Sequence, residues 1–268
     1  MAPNIYSLSD DIILQVFADF EPYHPDLLRA SHVNARWRNI AIQTPWLWRH
    51  VYRDWAIRET VPLDVALARS RSAPIALVGR LNSLHQVVLD IRLRITIIRV
   101  FFDLVTEFGF LKDAVNGRMP NLRILRLVYS SAIDESDVLD WSFVNKNNLP
   151  LLLNLTVCGG HVPLERLDLP SLAVARYKVL QAVDAGHAIE QVLAQHPSVV
   201  DFWIALGLRG KMEHLSAEAW SALGRLNRID IDSYFASTIV LDRLLFPTCT
   251  LPIPYMMYEL LYDAQDGP

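Results

Sequence analysis

Cysteine is scarce. Of 268 residues only Cys158 and Cys249 carry a thiol, and neither belongs to a set with metal-ligand spacing. No disulfide framework is implied, and both read as small buried hydrophobes of a reducing compartment. Charge of one sign is equally lacking: 25 Lys and Arg against 29 Asp and Glu leave a net −4, and the two signs interleave along the whole length. No basic stripe along the sequence suggests nucleic acid, and there is no acidic tail. A long uncharged apolar run is missing as well. The most apolar later stretch, Ile91 to Val115, is broken by Arg92, Arg94, Arg99, Asp103, Glu107 and Lys112, whereas a membrane span needs about 20 nearly uncharged residues. Met1-Ala2-Pro3-Asn4 lacks the basic and apolar regions of a signal peptide. A soluble intracellular protein is expected, cytoplasmic and/or nuclear, with neither membrane nor nucleic acid as partner.

Catalytic signatures are absent too. No two histidines stand at i, i+4 beside a glutamate, as a zinc protease needs, and no serine sits in a Gly-x-Ser-x-Gly elbow. Gly210-Lys211 fails as a phosphate loop, because Ala205 stands where the first glycine belongs and Met212 follows the lysine. Gly159-Gly160-His161 reads equally as an anion-binding turn or as a loop between repeats. Cys158, near His161 but flanked by Leu153, Leu155 and Val157, reads as a buried strand thiol rather than an activated nucleophile. The acidic pairs Asp10-Asp11 and Asp230 with Asp232 read as helix-start and strand-edge charges. No enzyme, no metal and no cofactor is expected.

What is present is apolar periodicity. Apolar residues make up 52% of the chain and charged residues 20%, enough for a sizeable core. Ser9 is an N-cap for a helix in which Asp10 and Asp11 favour the positive dipole end and Ile12, Ile13, Val16, Phe17 and Phe20 form one apolar face. Glu21-Pro22-Tyr23-His24-Pro25 ends it. A second helix is expected from Pro25 or Asp26 to Val33, and a third through Ala35, Trp37, Ile40 and Ala41. Thr44-Pro45-Trp46-Leu47-Trp48-Arg49 follows, a proline-started segment carrying two tryptophans. Three helices of about ten residues bury little surface alone, so the unit must lean on a neighbouring domain or a partner.

Leu8 with Asp11-Ile12-Ile13-Leu14-Gln15-Val16-Phe17, Asp26-Leu27-Leu28-Arg29-Ala30-Ser31-His32-Val33, Arg36-Trp37-Arg38-Asn39-Ile40-Ala41 and Pro45-Trp46-Leu47-Trp48 resemble the F-box motif in order and spacing over about Ile5 to Val51. Two positions depart from it: Ser9 follows Leu8 where the motif has proline, and Asn34 stands where cysteine is common. The resemblance implies a substrate receptor of Skp–cullin–F-box ubiquitin ligases. Its Skp-family adaptor would bind through Leu8, Ile12, Ile13, Val16, Leu27, Leu28, Val33, Trp37, Pro45 and Leu47, and Trp46 and Trp48 would wedge the F-box against the rest. The same residues also suit a core, and both roles stay open. The alternative is an F-box scaffold that directs no ubiquitination.

Beyond an F-box domain at residues 1–60, residues 61–268 read as a degenerate leucine-rich-repeat-like domain. After a short helix over Pro62 to Ser70, strands are expected near Leu77, Thr96, Leu125, Leu155, Val174, Phe202 and Ile229. Their offsets of 19, 29, 30, 19, 28 and 27 residues fall in or near the range of about 20–29 for leucine-rich repeats. Met119-Pro120-Asn121-Leu122, Leu149-Pro150-Leu151-Leu152, Leu169-Pro170-Ser171-Leu172 and His196-Pro197-Ser198-Val199 open units alike. Leu223 to Ile231 resembles them. Helical periodicity covers Ile98 to Val115, Ala188 to Gln195 and Leu215 to Leu223. The fold class is therefore α/β: a three-helix F-box, then a solenoid of short parallel strands with outer helices. The layout is similar to that of many fungal F-box proteins. Leu251 to Tyr258 reads as a further unit cut short; either the chain is a fragment or the segment near Tyr258-Glu259-Leu260-Leu261 forms a lid. An unknown protein target is expected on the strand face, with Tyr129, Trp141, Tyr177, Trp203 and Tyr234 as candidate contacts.

Overall fold

The computed structural model describes residues 7–20, 24–53, 62–102, 105–116, 118–129, 139–158, 162, 167–179, 185–206 and 224–233. The stretches expected near 5, 54–60, 159–161 and 215–223, together with Tyr234, Cys249 and 251–268, lie outside them.

Helix α1 spans Asp10–Asp19, α2 His24–Ser31 and α3 Ala35–Gln43. The start of α1 follows the expected Ser9 cap, and α3 is capped by Asn34, which was not expected in that role. Ser9 Oγ accepts from the Ile12 N–H at 3.4 Å, and Asn34 Oδ1 accepts from the Trp37 N–H at 2.9 Å. A 3-10 turn at Pro45–Trp48 then leads directly into strand β1, His50–Arg53. A strand this short leaves no periodicity to read. It forms because the edge of β2 offers it a parallel partner, with Val51 opposite Leu77.

Helix α4, Leu63–Ser70, precedes the rest of the sheet: β2 Ile75–Arg80, β3 Ile95–Phe102, β4 Ile124–Tyr129, β5 Asn154–Cys158, β6 Val174–Val179, β7 Asp201–Leu206 and β8 Arg228–Ser233. All seven expected strands are present. Helices α5 Leu81–Ile91, α6 Val105–Asn116 and α7 Ala185–Gln195 fill three crossovers. Two helix expectations are corrected. The periodicity over Ile98 to Val115 divides at Phe102, because the β-branched run Ile95-Thr96-Ile97-Ile98 extends as a strand and only the later half coils. Helix α5 was not expected, although Leu84, Val87, Val88 and Ile91 carry its spacing.

The eight strands pair in parallel, in the order β1 to β8, as one open sheet. Parallel crossovers are right-handed, and an order without reversal therefore puts the described crossover helices on the same face. The fold is singly wound, a repeat-like solenoid. The register aligns the inward residues in rows. Val51, Leu77, Ile98, Leu125, Leu155, Ala175 and Phe202 form one, and Val100, Leu127 and Val157 another; all are buried.

The recurring unit starts have a physical basis. Met119, Leu149, Leu169 and His196 are buried, a proline turn follows, and Leu122, Leu152, Leu172 and Val199 are buried again. At three of these turns a short polar side chain reaches one unit back. Asn121 Nδ2 donates to the Leu93 carbonyl at 2.7 Å, Ser171 Oγ to Pro150 at 3.1 Å, and Ser198 Oγ to Pro170 at 2.9 Å. Outer helices do not occupy every unit among the described residues. Between β4 and β5, residues 139–150 fold through asparagine turns, Asn145 Oδ1 accepting from Asn147 and Asn148 N–H. Trp141 and Phe143 there pack on Phe108 of α6 at centroid distances of 4.9 and 5.3 Å.

Candidate adaptor interface and strand face

Within the three helices the apolar residues divide into two sets. Ile13 and Phe17 of α1, Leu27 of α2, Trp37 and Ala41 of α3 and Leu47 of the 3-10 turn are buried together. The Phe17 and Trp37 rings meet edge-on at 5.5 Å. Arg36 on α3 pairs with Asp10 on α1 and ties the two helices together. Against this core, large apolar side chains remain in solvent: Ile12 at 50% exposure, Val33 at 44%, and Ile42 and Trp46 each at 37%.

Of the ten residues expected at the adaptor surface, Ile13, Leu27, Trp37 and Leu47 are therefore core, and Leu8, Val16, Leu28 and Pro45 are half-buried. Ile12 and Val33 are open to contact. Ile42 and Trp46, not among the ten, are exposed as well. The tryptophan pair behaves differently from the expected double wedge. A 3-10 turn advances about a third of a revolution per residue, so residues two apart point in different directions. Trp48 turns inward, is fully buried, and donates from Nε1 to the Ala41 carbonyl at 2.8 Å. The Arg69 guanidinium of α4 lies 4.3 Å above its ring, and burial lowers the pKa of that arginine. Trp48 is the wedge between the helices and the sheet; Trp46 faces out.

The candidate target contacts separate by strand alternation. Tyr129 falls on the helix side at the end of β4, its ring 4.9 Å from buried Phe102. Trp141 is buried in the aromatic cluster beside α6. In the backbone register Tyr177 stands opposite Val157 and Ile204, and Trp203 opposite Arg176 and Asp230; the side chains of Tyr177 and Trp203 lie outside the described residues. Tyr129 and Trp141 thus do not stand on the open strand face, because side-chain direction follows register and packing and not aromatic character. Among the described residues no His, Cys, Asp or Glu cluster suited to a metal ion occurs. No described helix is long and apolar enough to cross a membrane.

Residues 7–54 match the F-box-like family model. The match covers α1 to α3, the 3-10 turn and all of β1. No curated protein matches the chain. An F-box-like domain supports an F-box protein. F-box domains in general bind Skp-family adaptors of SCF-type ubiquitin ligases, and the proteins that carry them are generally non-catalytic receptors.

Proposed function

We propose that this chain is the target-recognition subunit of an SCF-type E3 ubiquitin ligase, in the cytoplasm and/or nucleus. The F-box domain, residues 1–60, binds a Skp-family linker. Residues 61–268, a degenerate leucine-rich-repeat domain, hold a protein target. The subunit performs no chemistry and needs no cofactor; it raises the local concentration of target lysines near a charged conjugating enzyme.

The observation that carries this reading is the exposure of Ile12 and Val33 inside the family-matched segment, with Ile42 and Trp46 beside them in sequence elements that otherwise bury their apolar residues. Exposed apolar side chains on a helical unit are what a partner covers. Leu8, Val16, Leu28 and Pro45 flank that surface. Ile13, Leu27, Trp37 and Leu47 hold the helices that present it. A second reading, a scaffold that binds the adaptor without directing ubiquitination, is favoured by Ser9, which caps α1 but supplies no proline contact.

Co-expression with a Skp-family adaptor and size exclusion test the assignment. Wild type co-elutes, and Ile12→Asp with Val33→Asp abolishes co-elution while circular dichroism stays unchanged, because both side chains already stand in water. A folded wild-type chain that never co-elutes removes the ligase reading. Co-elution of the double variant moves the interface elsewhere. Stable adaptor binding with no target turnover selects the scaffold.

A further inference from the structure

The face of the sheet opposite the helices carries a charge pattern that the linear sequence conceals. Tyr52, Val78, Arg99, Arg126, Thr156 and Arg176 stand side by side on β1 to β6 as a single outward row. Arg99 and Arg126 are direct register partners, and Arg80 stands two positions further along its strand from Val78, on the same face. Neighbouring strands lie about 4.8 Å apart, so the Arg99 and Arg126 side chains leave the sheet as a close like-charged pair. Arg126 is only 6% exposed, and Arg99 holds its Nε buried without a hydrogen-bond partner. No Asp or Glu occupies an outward position on β1 to β6 among the described residues. On β3 and β4 the outward residues on both sides of the arginine pair are apolar, Ile97 and Ile124 on one side and Phe101 and Val128 on the other, with Arg80 next to Phe101 on β2.

We propose that this face is a docking surface for an acidic, extended segment of a partner protein, with Arg99, Arg126 and Arg176 taking its carboxylates and the flanking apolar rows taking its aliphatic side chains. The inference rests on the reading that the sheet half holds a target, and it names the chemistry of that target. Arg126 is withdrawn from water and Arg99 and Arg176 are half-buried, and a partly desolvated guanidinium binds a carboxylate more strongly than a solvated one, through short charge-assisted bonds. Nucleic acid fits less well. The apolar side chains Ile97, Ile124, Phe101 and Val128 beside the arginines suit the aliphatic residues of a peptide and give a sugar–phosphate backbone nothing to bond to. The register also limits the acidic stretch. Asp201 occupies an outward position on β7 opposite Val174, so the favourable field weakens beyond β6.

The full chain, co-purified with its adaptor where one binds, is titrated against a fluorescein-labelled alternating Glu-Val peptide. Its Lys-Val counterpart and an oligothymidylate serve as comparison probes. Anisotropy is read at low and physiological salt. The Glu-Val peptide binds and weakens with salt, the Lys-Val peptide does not bind, and Arg99→Gln with Arg126→Gln lowers affinity by about tenfold or more. The paired variant must keep its far-ultraviolet dichroism; if it unfolds, Arg176→Gln on half-buried β6 decides alone, with a loss of several-fold expected. Unchanged peptide affinity in a folded variant overturns the proposal, as does tighter binding of the oligothymidylate through the same arginines. Adaptor co-elution separates the two readings. A chain that co-elutes but ignores the peptide refutes the acidic target alone, and one that binds the peptide without the adaptor refutes the ligase assignment alone.

Discussion

At the scale of single residues, the two buried tryptophans of the F-box differ by one hydrogen bond. Trp48 Nε1 donates to the Ala41 carbonyl, while the Trp37 Nε1 is buried without a partner. Both rings fill space that phenylalanine would fill less completely, so the volume lost is the same in each case. Trp37→Phe also removes an unsatisfied donor, whereas Trp48→Phe removes a made bond and weakens the Arg69 stack. Trp48→Phe is therefore the more destabilising, by about 1–2 kcal/mol. Urea unfolding followed by circular dichroism checks this, and coincident midpoints would show that the indole hydrogen bond contributes nothing. The sequence does not distinguish Trp48 from Trp46, which it treats alike as a wedge. Both are tryptophans two residues apart in a matched motif, and their directions are fixed only by the 3-10 turn and by what α4 places above it. For the same reason the ten adaptor candidates are legible as a set but not as core and surface.

At the scale of elements, the positions of β4 to β7 were legible because their units open alike: a buried residue, a proline, a third residue that is polar in three of the four, and a second buried residue. The polar member joins successive turns. Asn121 and Ser198 each donate to a carbonyl of the preceding unit, and Ser198 reaches the Leu172 carbonyl of its own neighbour as well at 2.8 Å. Ser198→Ala is expected to cost about 1 kcal/mol, and Leu151→Ser, which adds a hydroxyl at the corresponding position of the Pro150 unit, to recover a fraction of that. Leu151 is exposed, so the exchange sacrifices little burial. Thermal melts of the two variants read the comparison; a neutral Ser198→Ala would mean that the backbone ladder alone sets the stacking. What the periodicity concealed was the alternation of faces. Arg99, Arg126 and Arg176 are far apart in sequence and read there as isolated charges in apolar runs. Only the register, Arg99 opposite Arg126 and Arg176 opposite Thr156, collects them into a row.

At the scale of the whole molecule, the F-box and the solenoid share one core. Leu47, Trp48 and Val51 belong to the same buried cluster as Ala66, Ile75 and Leu77. Strand β1, inside the segment that matches the F-box-like family, is the first strand of the sheet, and the Ala76 N–H donates to the Arg49 carbonyl at 2.9 Å. Helices of 10, 8 and 9 residues have little independent stability. The helices are therefore expected to melt with the first strands of the sheet rather than before or after them. Val51→Asp, which places a carboxylate where the two halves meet, should lower the melting of both together by several kcal/mol. Residues 1–60 expressed alone should lack stable helical dichroism. Conversely, an adaptor bound at the far side of the F-box raises the melting temperature of the sheet by mass action, since only the folded unit binds it. Hydrogen exchange resolves the outcome segment by segment. Protection of β2 and β3 that rises when the adaptor binds establishes the coupling through Trp48 and β1. Unchanged sheet protection, with α1 to α3 alone slowed, would make the F-box an independent module whose only tie to the solenoid is the chain.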